Sequence, residues 1–213
     1  MTTSVALKSL LGAAALTLPL MAFGESNLQT GTTALTATAH VDFSIVIPKI
    51  LYLRVGTGSA YTAAPPVLTS IGTIDAITFS PAAGTVGNGT AVAGVGGDLP
   101  GGVETAAIVS NSGNVTLSAS TGGALSDGAA GDSIPWTQIT TTAATNTSGT
   151  ALPAPVLVNG ASASILLTAP ATKFISQDAK WTYAYANSVT VPAGTYGGTA
   201  ALNGRVTYTA SMP

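Results

Sequence analysis

Strict alternation of apolar and polar residues marks one segment, residues 35–47, more clearly than any other. Apolar side chains occupy its odd positions, and Thr, His, Asp and Ser occupy its even positions, with Val46 as the one exception. Alternation of this kind predicts a half-buried β-strand, because successive side chains of a strand point to opposite faces. The predicted core-facing residues are Leu35, Ala37, Ala39, Val41, Phe43, Ile45 and Ile47.

Shorter β-rich runs follow, separated by segments rich in Gly, Pro, Asn and Ser. Residues 103–110 and 115–120 flank Asn111-Ser112-Gly113-Asn114, a pattern that predicts a β-hairpin. Residues 80–102 are dominated by small and turn-forming residues, and they are either a long surface loop or a loop with a short strand at 91–95. The other predicted strands cover residues 50–55, 71–79, 161–169, 181–185 and 206–212.

No segment after residue 24 has a helical period, so the sequence predicts an all-β fold. Several short strands between turns favour a single antiparallel β-sandwich with Gly/Ala/Thr-rich loops. The predicted sandwich domain covers residues 35–213, and a flexible polar leader of residues 25–34 precedes it.

The first 24 residues have the pattern of a bacterial secretory signal peptide. One cation, Lys8, precedes an apolar run at 10–23, and the small residues Ala22 and Gly24 stand before the predicted cut. A membrane anchor is the alternative, but a spanning helix needs about 20 apolar residues and Pro19 interrupts this shorter run. The mature chain is therefore predicted to be secreted or held at the cell surface, without a membrane span.

The composition excludes several classes of function. The chain has no cysteine, so cysteine catalysis and zinc–thiolate sites are excluded. Six Lys and Arg, eight Asp and Glu and one His provide no basic face for nucleic acid. So few charges also give little electrostatic protection against association, which favours a protein that assembles.

Two groups of residues have the side chains of a catalytic or metal site. His40, Asp42 and Ser44 share the polar face of the first predicted strand. Residues two apart on a strand stand roughly 7 Å apart and parallel, whereas a nucleophilic triad requires convergence. The sequence thus predicts three solvated polar residues.

The acid pairs are the second group. Asp127 with Asp132 and Asp98 with Glu104 lack the alternating ligands of a calcium loop, and turn formation explains them. We therefore predict no enzyme, no metal and no cofactor.

Aromatic residues offer one candidate for ligand binding. Trp181, Tyr183 and Tyr185 share one strand face, and Trp136 lies earlier in the chain. Such rings can stack on sugars, or they can belong to the core, where large rings supply most packing area. The small residues on the opposite face favour the core.

The two ends of the domain resemble a known family. The segment 36–48 (TATAHVDFSIVIP) and the closing segments 191–198 (VPAGTYGG) and 204–211 (GRVTYTAS) resemble cysteine-free bacterial fimbrial subunits of the chaperone–usher class. The resemblance implies an incomplete immunoglobulin-like sandwich, whose missing strand comes from the N-terminal extension of a neighbour. It also implies a periplasmic chaperone as a partner.

One departure leaves two alternatives open. The leader 25–33 offers only Leu28 as an apolar residue, so either the segment 35–47 is itself the donor or the domain is self-complete. We expect a secreted, non-catalytic structural subunit of a surface filament or matrix, which associates with itself or with other surface subunits. An adhesive or carbohydrate-binding module is the alternative.

Overall fold

The computed structural model describes residues 24–56, 68–129 and 131–213. The predicted signal peptide therefore lies outside the described residues except for Gly24, and so do residues 57–67, between the predicted strands at 50–55 and 71–79. The chain divides into two units, Met1–Ile47 and Pro48–Pro213.

Strands are the main regular secondary structure in the described part of the second unit. Helix among these residues is limited to three single 3-10 turns, at Ala83–Thr85, Trp136–Gln138 and Ala200–Leu202. The strands are β1 (Leu51–Val55), β2 (Ile77–Thr78), β3 (Val92–Ala93), β4 (Val95–Gly96), β5 (Val103–Ser110), β6 (Val115–Thr121), β7 (Leu125–Ser126), β8 (Ser133–Ile134), β9 (Ile139–Ala144), β10 (Ile165–Leu167), β11 (Ile175–Tyr185) and β12 (Val206–Ser211).

These strands form antiparallel sheets, which confirms the predicted all-β fold. The largest sheet has the order β1-β5-β11-β3, with β9 also pairing with β11. A second sheet has the order β10-β6-β12, and two small sheets pair β2 with β4 and β7 with β8. Both larger sheets contribute to one apolar core, since Ile108 and Trp181 of the first and Val115 and Leu117 of the second belong to it. The arrangement is sandwich-like.

The predicted hairpin at residues 111–114 is wrong. β5 pairs with β1 and β11, whereas β6 pairs with β10 and β12, so the connection crosses from one sheet to the other. Asn111 fixes this crossing, because its Oδ1 accepts from the backbone N–H of Ile50 at 2.8 Å and its Nδ2 donates to the carbonyl of Pro48 at 2.8 Å. Gly113 donates its N–H to Lys173, on another connection.

Residues 80–102 contain the short strand that was one of the two alternatives. β3 and β4 lie there, and β3 pairs with the end of β11. Of the predicted strand at 71–79, only β2 forms, and the predicted strands at 50–55 and 206–212 are confirmed as β1 and β12.

The described part of the first unit contains no strand, so the prediction of a half-buried strand at 35–47 is wrong for this chain. Residues 24–47 are exposed and have no hydrogen-bonded neighbouring strand. Phe43 and Ile45 are 90% and 86% exposed. The alternation that predicts the strand is present, but a strand also needs an edge to pair with.

A buried carboxylate secures the loop after β9. Asp178 is 1% exposed and accepts from the backbone N–H of Ser148 at 2.6 Å and from Asn146 Nδ2 at 2.9 Å. Burial opposes its ionisation, but the hydrogen bonds from Ser148, Thr147 and Asn146 outweigh burial and lower the pKa of Asp178 to about 2. The carboxylate therefore stays charged and holds the loop against β11.

Candidate functional site: a groove between two sheet edges

The two larger sheets each end in a strand that has a single strand partner. β1 pairs only with β5, and β12 pairs only with β6, among the strands that the structure describes. An edge strand presents backbone N–H and C=O groups on its outer side, and these can pair with an additional strand. Both edges lie on the same side of the second unit, since Cα atoms of β1 and β12 approach within 8 Å.

These two edges are held together at one end. Lys49 Nζ donates to the carbonyl oxygen of Pro213 at 3.0 Å, and Ser110 Oγ donates to Met212 Sδ at 3.3 Å. These contacts join the start of β1 to the end of β12. Toward the end of β1 and the start of β12, a groove of about 710 Å³ lies between the edges.

The lining of the groove is mainly apolar. Leu53 and Val55 of β1 line it together with Ile77 and Phe79, and Val206 and Tyr208 of β12 line it from the other sheet. All six are only partly buried against the core. Their exposed remainder is apolar surface that a further chain segment could cover.

One polar atom in the lining lacks a hydrogen-bond partner. Trp136 lines the groove and is 6% exposed, and its Nε1 has no hydrogen-bond partner among the described residues. A buried N–H without an acceptor is costly by about 1–3 kcal/mol. An occupant of the groove with a carbonyl or hydroxyl oxygen could satisfy it.

The aromatic residues considered as a sugar-stacking set lie in the core. Trp181 is fully buried and donates from Nε1 to the carbonyl of Leu152 at 2.8 Å, and Tyr183 and Tyr185 are each 6% exposed. Tyr183 Oη and Tyr208 Oη are 2.8 Å apart. Trp136, Trp181, Tyr183 and Tyr185 all belong to the buried apolar core.

A pair of carboxyl groups lines the groove next to the end of β1. Glu104 is 5% exposed and shares its strand face with Ala106 and Ile108, which are in the core. Its carboxyl group hydrogen-bonds to that of half-buried Asp75, and both side chains line the groove. Both carboxyl groups crowd over Gly56, where a Cβ would overlap them.

Glu104 holds its proton up to about neutral pH. The pKa of Glu104 is raised from 4.5 to about 7. Burial is the largest cause, the neighbouring Asp75 and Asp98 charges add to it, and the hydrogen bond from the backbone N–H of Asp98 opposes it. Two carboxyl groups can hydrogen-bond to each other only when one of them is protonated. This pair was not predicted from the sequence, although Glu104 lies on the core-facing parity of β5, which is unusual for an acidic residue.

Other charged groups near the pair are already engaged or neutral. Asp98 accepts from the backbone N–H of Thr105 at 2.8 Å and lies 3.8 Å from Arg54 Nη2. Burial and their mutual contact raise the pKa of Tyr183 well above its ordinary value, and burial raises that of Tyr208 to about 12. Both hydroxyls therefore stay neutral.

The other sequence candidates do not come together as catalytic sites. His40 Nδ1 contacts Glu25 Oε2 at 2.7 Å rather than Asp42 or Ser44. Asp127 Oδ1 accepts from the backbone N–H of Ala129 at 2.8 Å, as a turn residue does. In the described ranges, no cluster of three His, Asp or Glu side chains could hold a metal ion. Nor does any helix in those ranges have the length and apolar character to cross a bilayer.

Comparison of the chain with protein-family models, with curated proteins and with solved structures gives no match. The interpretation of the groove therefore depends on its own geometry and on the segment that could fill it.

Proposed function

We propose that this protein is a secreted, non-catalytic structural subunit of a bacterial surface filament or matrix, whose copies join by β-strand addition. In this proposal the second unit is an incomplete immunoglobulin-like sandwich. The segment 35–47 of one copy enters the groove between β1 and β12 of the next. The observation that carries the proposal is the coexistence, in one chain, of an exposed alternating segment and an apolar groove bounded by two sheet edges.

The segment has the pattern that a groove-filling strand needs. Apart from Val46, its apolar side chains share one parity, so in an extended conformation they face one way. Val41, Phe43, Ile45 and Ile47 are at least 74% exposed. Burying four such side chains gives about 6–12 kcal/mol before the cost of ordering the segment.

The groove provides the backbone hydrogen-bonding partners and the apolar contacts that this segment does not have within its own chain. The edge of β12 offers backbone groups for a ladder of hydrogen bonds, and the apolar lining accepts the odd-numbered side chains. The even-numbered side chains would face solvent. The buried N–H of Trp136 would find an acceptor on the incoming segment.

Addition of this kind joins unlike surfaces, the segment of one copy and the groove of another. Such a heterologous contact does not close on itself and builds a filament. A chaperone that inserts one of its own strands into the groove before assembly would bind by the same β-strand addition.

Self-association of the chain from residue 25 onward tests the proposal. Phe43→Asp places a charge on the groove-facing parity, and Ser44→Asp places the same charge on the solvent-facing parity as a matched control. Light scattering coupled to size exclusion should show oligomers for the unmodified chain and for S44D, and monomers for F43D. F43D keeps its groove, so it should also shorten the oligomers of the unmodified chain on mixing.

Equal association of F43D and S44D would contradict the proposal, as would a folded, unmodified chain that stays monomeric at all concentrations. The alternative function of carbohydrate binding has no supporting observation, because the rings that motivated it are buried.

A further inference from the structure

We propose that entry of a strand into the groove is coupled to the binding of one proton by the Asp75–Glu104 carboxyl pair, so that copies associate more tightly below neutral pH than above it. This inference depends on the proposed function. It concerns the regulation of the same groove.

The position of the pair connects it to the groove. Glu104 projects from β5 toward the core, and Asp75 belongs to the residues just before β2 that form part of the groove lining. Their carboxyl groups meet over Gly56, directly after β1, and Gly56 donates its N–H to the carbonyl of Thr105 at 3.0 Å. One shared proton therefore links the end of β1, the start of β5 and the residues before β2.

The charged and titratable groups around the pair do not replace that proton. Asp98 adds negative charge and directs its carboxylate to Arg54 and Thr105. Tyr183 of β11 and Tyr208 of β12 stay neutral. Arg205 lines the groove but is exposed, so water screens its charge.

An apolar occupant changes the environment of the pair. Leu53, Val55 and Glu104 line the same groove, so a strand that covers the first two also removes water from Glu104. Desolvation penalises the doubly charged state of the pair more than the singly charged state. The occupied groove therefore holds the proton more tightly than the open one, and by linkage the proton strengthens occupation.

The size of the effect follows from the number of protons. Burial already raises the pKa of Glu104 to about 7 in the open groove. Above that pH, strand entry takes up one proton, and the association constant falls by at most about tenfold per pH unit. Below it the pair is already protonated, and the association constant should level off.

The test is the association constant of the chain from residue 25 onward, measured by sedimentation between pH 5.5 and 8.5. We expect a plateau below pH 7 and a decline above it. Glu104→Gln keeps the shape, is uncharged, and can donate to Asp75, so it should associate about as tightly as the unmodified chain at pH 5.5 and hold that affinity to pH 8.5. Asp132→Asn, which removes the same charge outside the groove lining and outside the segment 35–47, should retain the decline.

The outcomes separate this inference from the proposed function. Association that is equally strong at all pH values, or an E104Q chain that keeps the decline, would overturn the inference and leave the proposed function standing. Absence of association at every pH in a folded chain would overturn the proposed function. If E104Q does not fold, Asp75→Asn removes the negative charge beside Glu104 and so lowers the pKa of Glu104; the decline should then begin at lower pH, and a decline at an unchanged pH in D75N would overturn the inference.

Discussion

The buried Glu104 should dominate the pH dependence of folding stability near neutrality. Its pKa is about 7 in the folded protein and 4.5 ordinarily. Since the folded state holds the proton at higher pH than the unfolded state does, the contribution of this group to stability is full below pH 4.5 and is lost as the pH rises through 7.

The magnitude follows from the difference between the two pKa values. A difference of about 2.5 pH units corresponds to about 3 kcal/mol at about 1.36 kcal/mol per unit. We therefore expect the free energy of unfolding to decrease by up to about 3 kcal/mol between pH 4.5 and 8. Glu104→Gln should abolish most of that decrease, because the amide stays neutral and still donates to Asp75.

Urea denaturation at a series of pH values measures this effect. All chains in the series carry Phe43→Asp, so that self-association does not add to the apparent stability. Glu25→Gln serves as the control with the same change of charge at an exposed position. Equal pH dependence of the chains with and without E104Q would refute the reasoning, since another group would then be responsible.

Two other perturbations test the internal contacts. Asp178→Asn removes a carboxylate that accepts from Asn146, Thr147 and Ser148; it should lower the free energy of unfolding at pH 7 by about 2–3 kcal/mol. With Asp178 intact, stability should fall as the pH drops from 3.8 toward 2; no such fall, or an unchanged denaturation midpoint for D178N, would contradict the assignment. Gly56→Ala should destabilise by about 1–3 kcal/mol, because Gly56 has a φ of +63° and a Cβ would collide with the carboxyl pair. Gly72→Ala, where nothing lies within 4 Å of an added Cβ, should leave the free energy of unfolding nearly unchanged in urea denaturation. Equal losses of stability in G56A and G72A would contradict this explanation.

The sequence was most informative for strands in which the alternation of apolar residues alone determines which face is buried. β12 and the aromatic face of β11 follow the alternation of apolar residues, because each strand buries one face in a shared core. The all-β fold follows from the same patterns together with the absence of a helical period.

Pairing could not be predicted in the same way, because it depends on partners distant in the sequence. Residues 111–114 have the composition of a hairpin turn, yet Asn111 binds the backbone near Pro48 and directs the chain into the other sheet. The segment 35–47 has the best strand pattern of the chain and is not a strand, since a pattern does not reveal whether an edge is available.

The carboxyl pair was missed for a related reason. Asp75 and Glu104 come from separate segments, and only the fold brings their carboxyl groups over Gly56. Glu104 alone gave a signal, because an acid on the core-facing parity of a strand must be paired or protonated.

A disulfide between chains tests the central claim most directly. The chain has no cysteine, so cysteines placed at Ser44 and at Thr207 of β12 are the only ones present. Both positions would face solvent on neighbouring strands after strand addition. One variant is prepared with ¹⁵N and the other without, and the two are mixed, oxidised and analysed by mass spectrometry.

Strand addition between copies predicts disulfides that join a ¹⁵N peptide around residue 44 to a ¹⁴N peptide around residue 207, and their loss when Phe43→Asp is added to the S44C chain. A cysteine at Thr209 in place of Thr207 covers the neighbouring register. The absence of joined peptides in both registers, or their persistence with F43D, would contradict the claim that the segment 35–47 of one copy fills the groove of another.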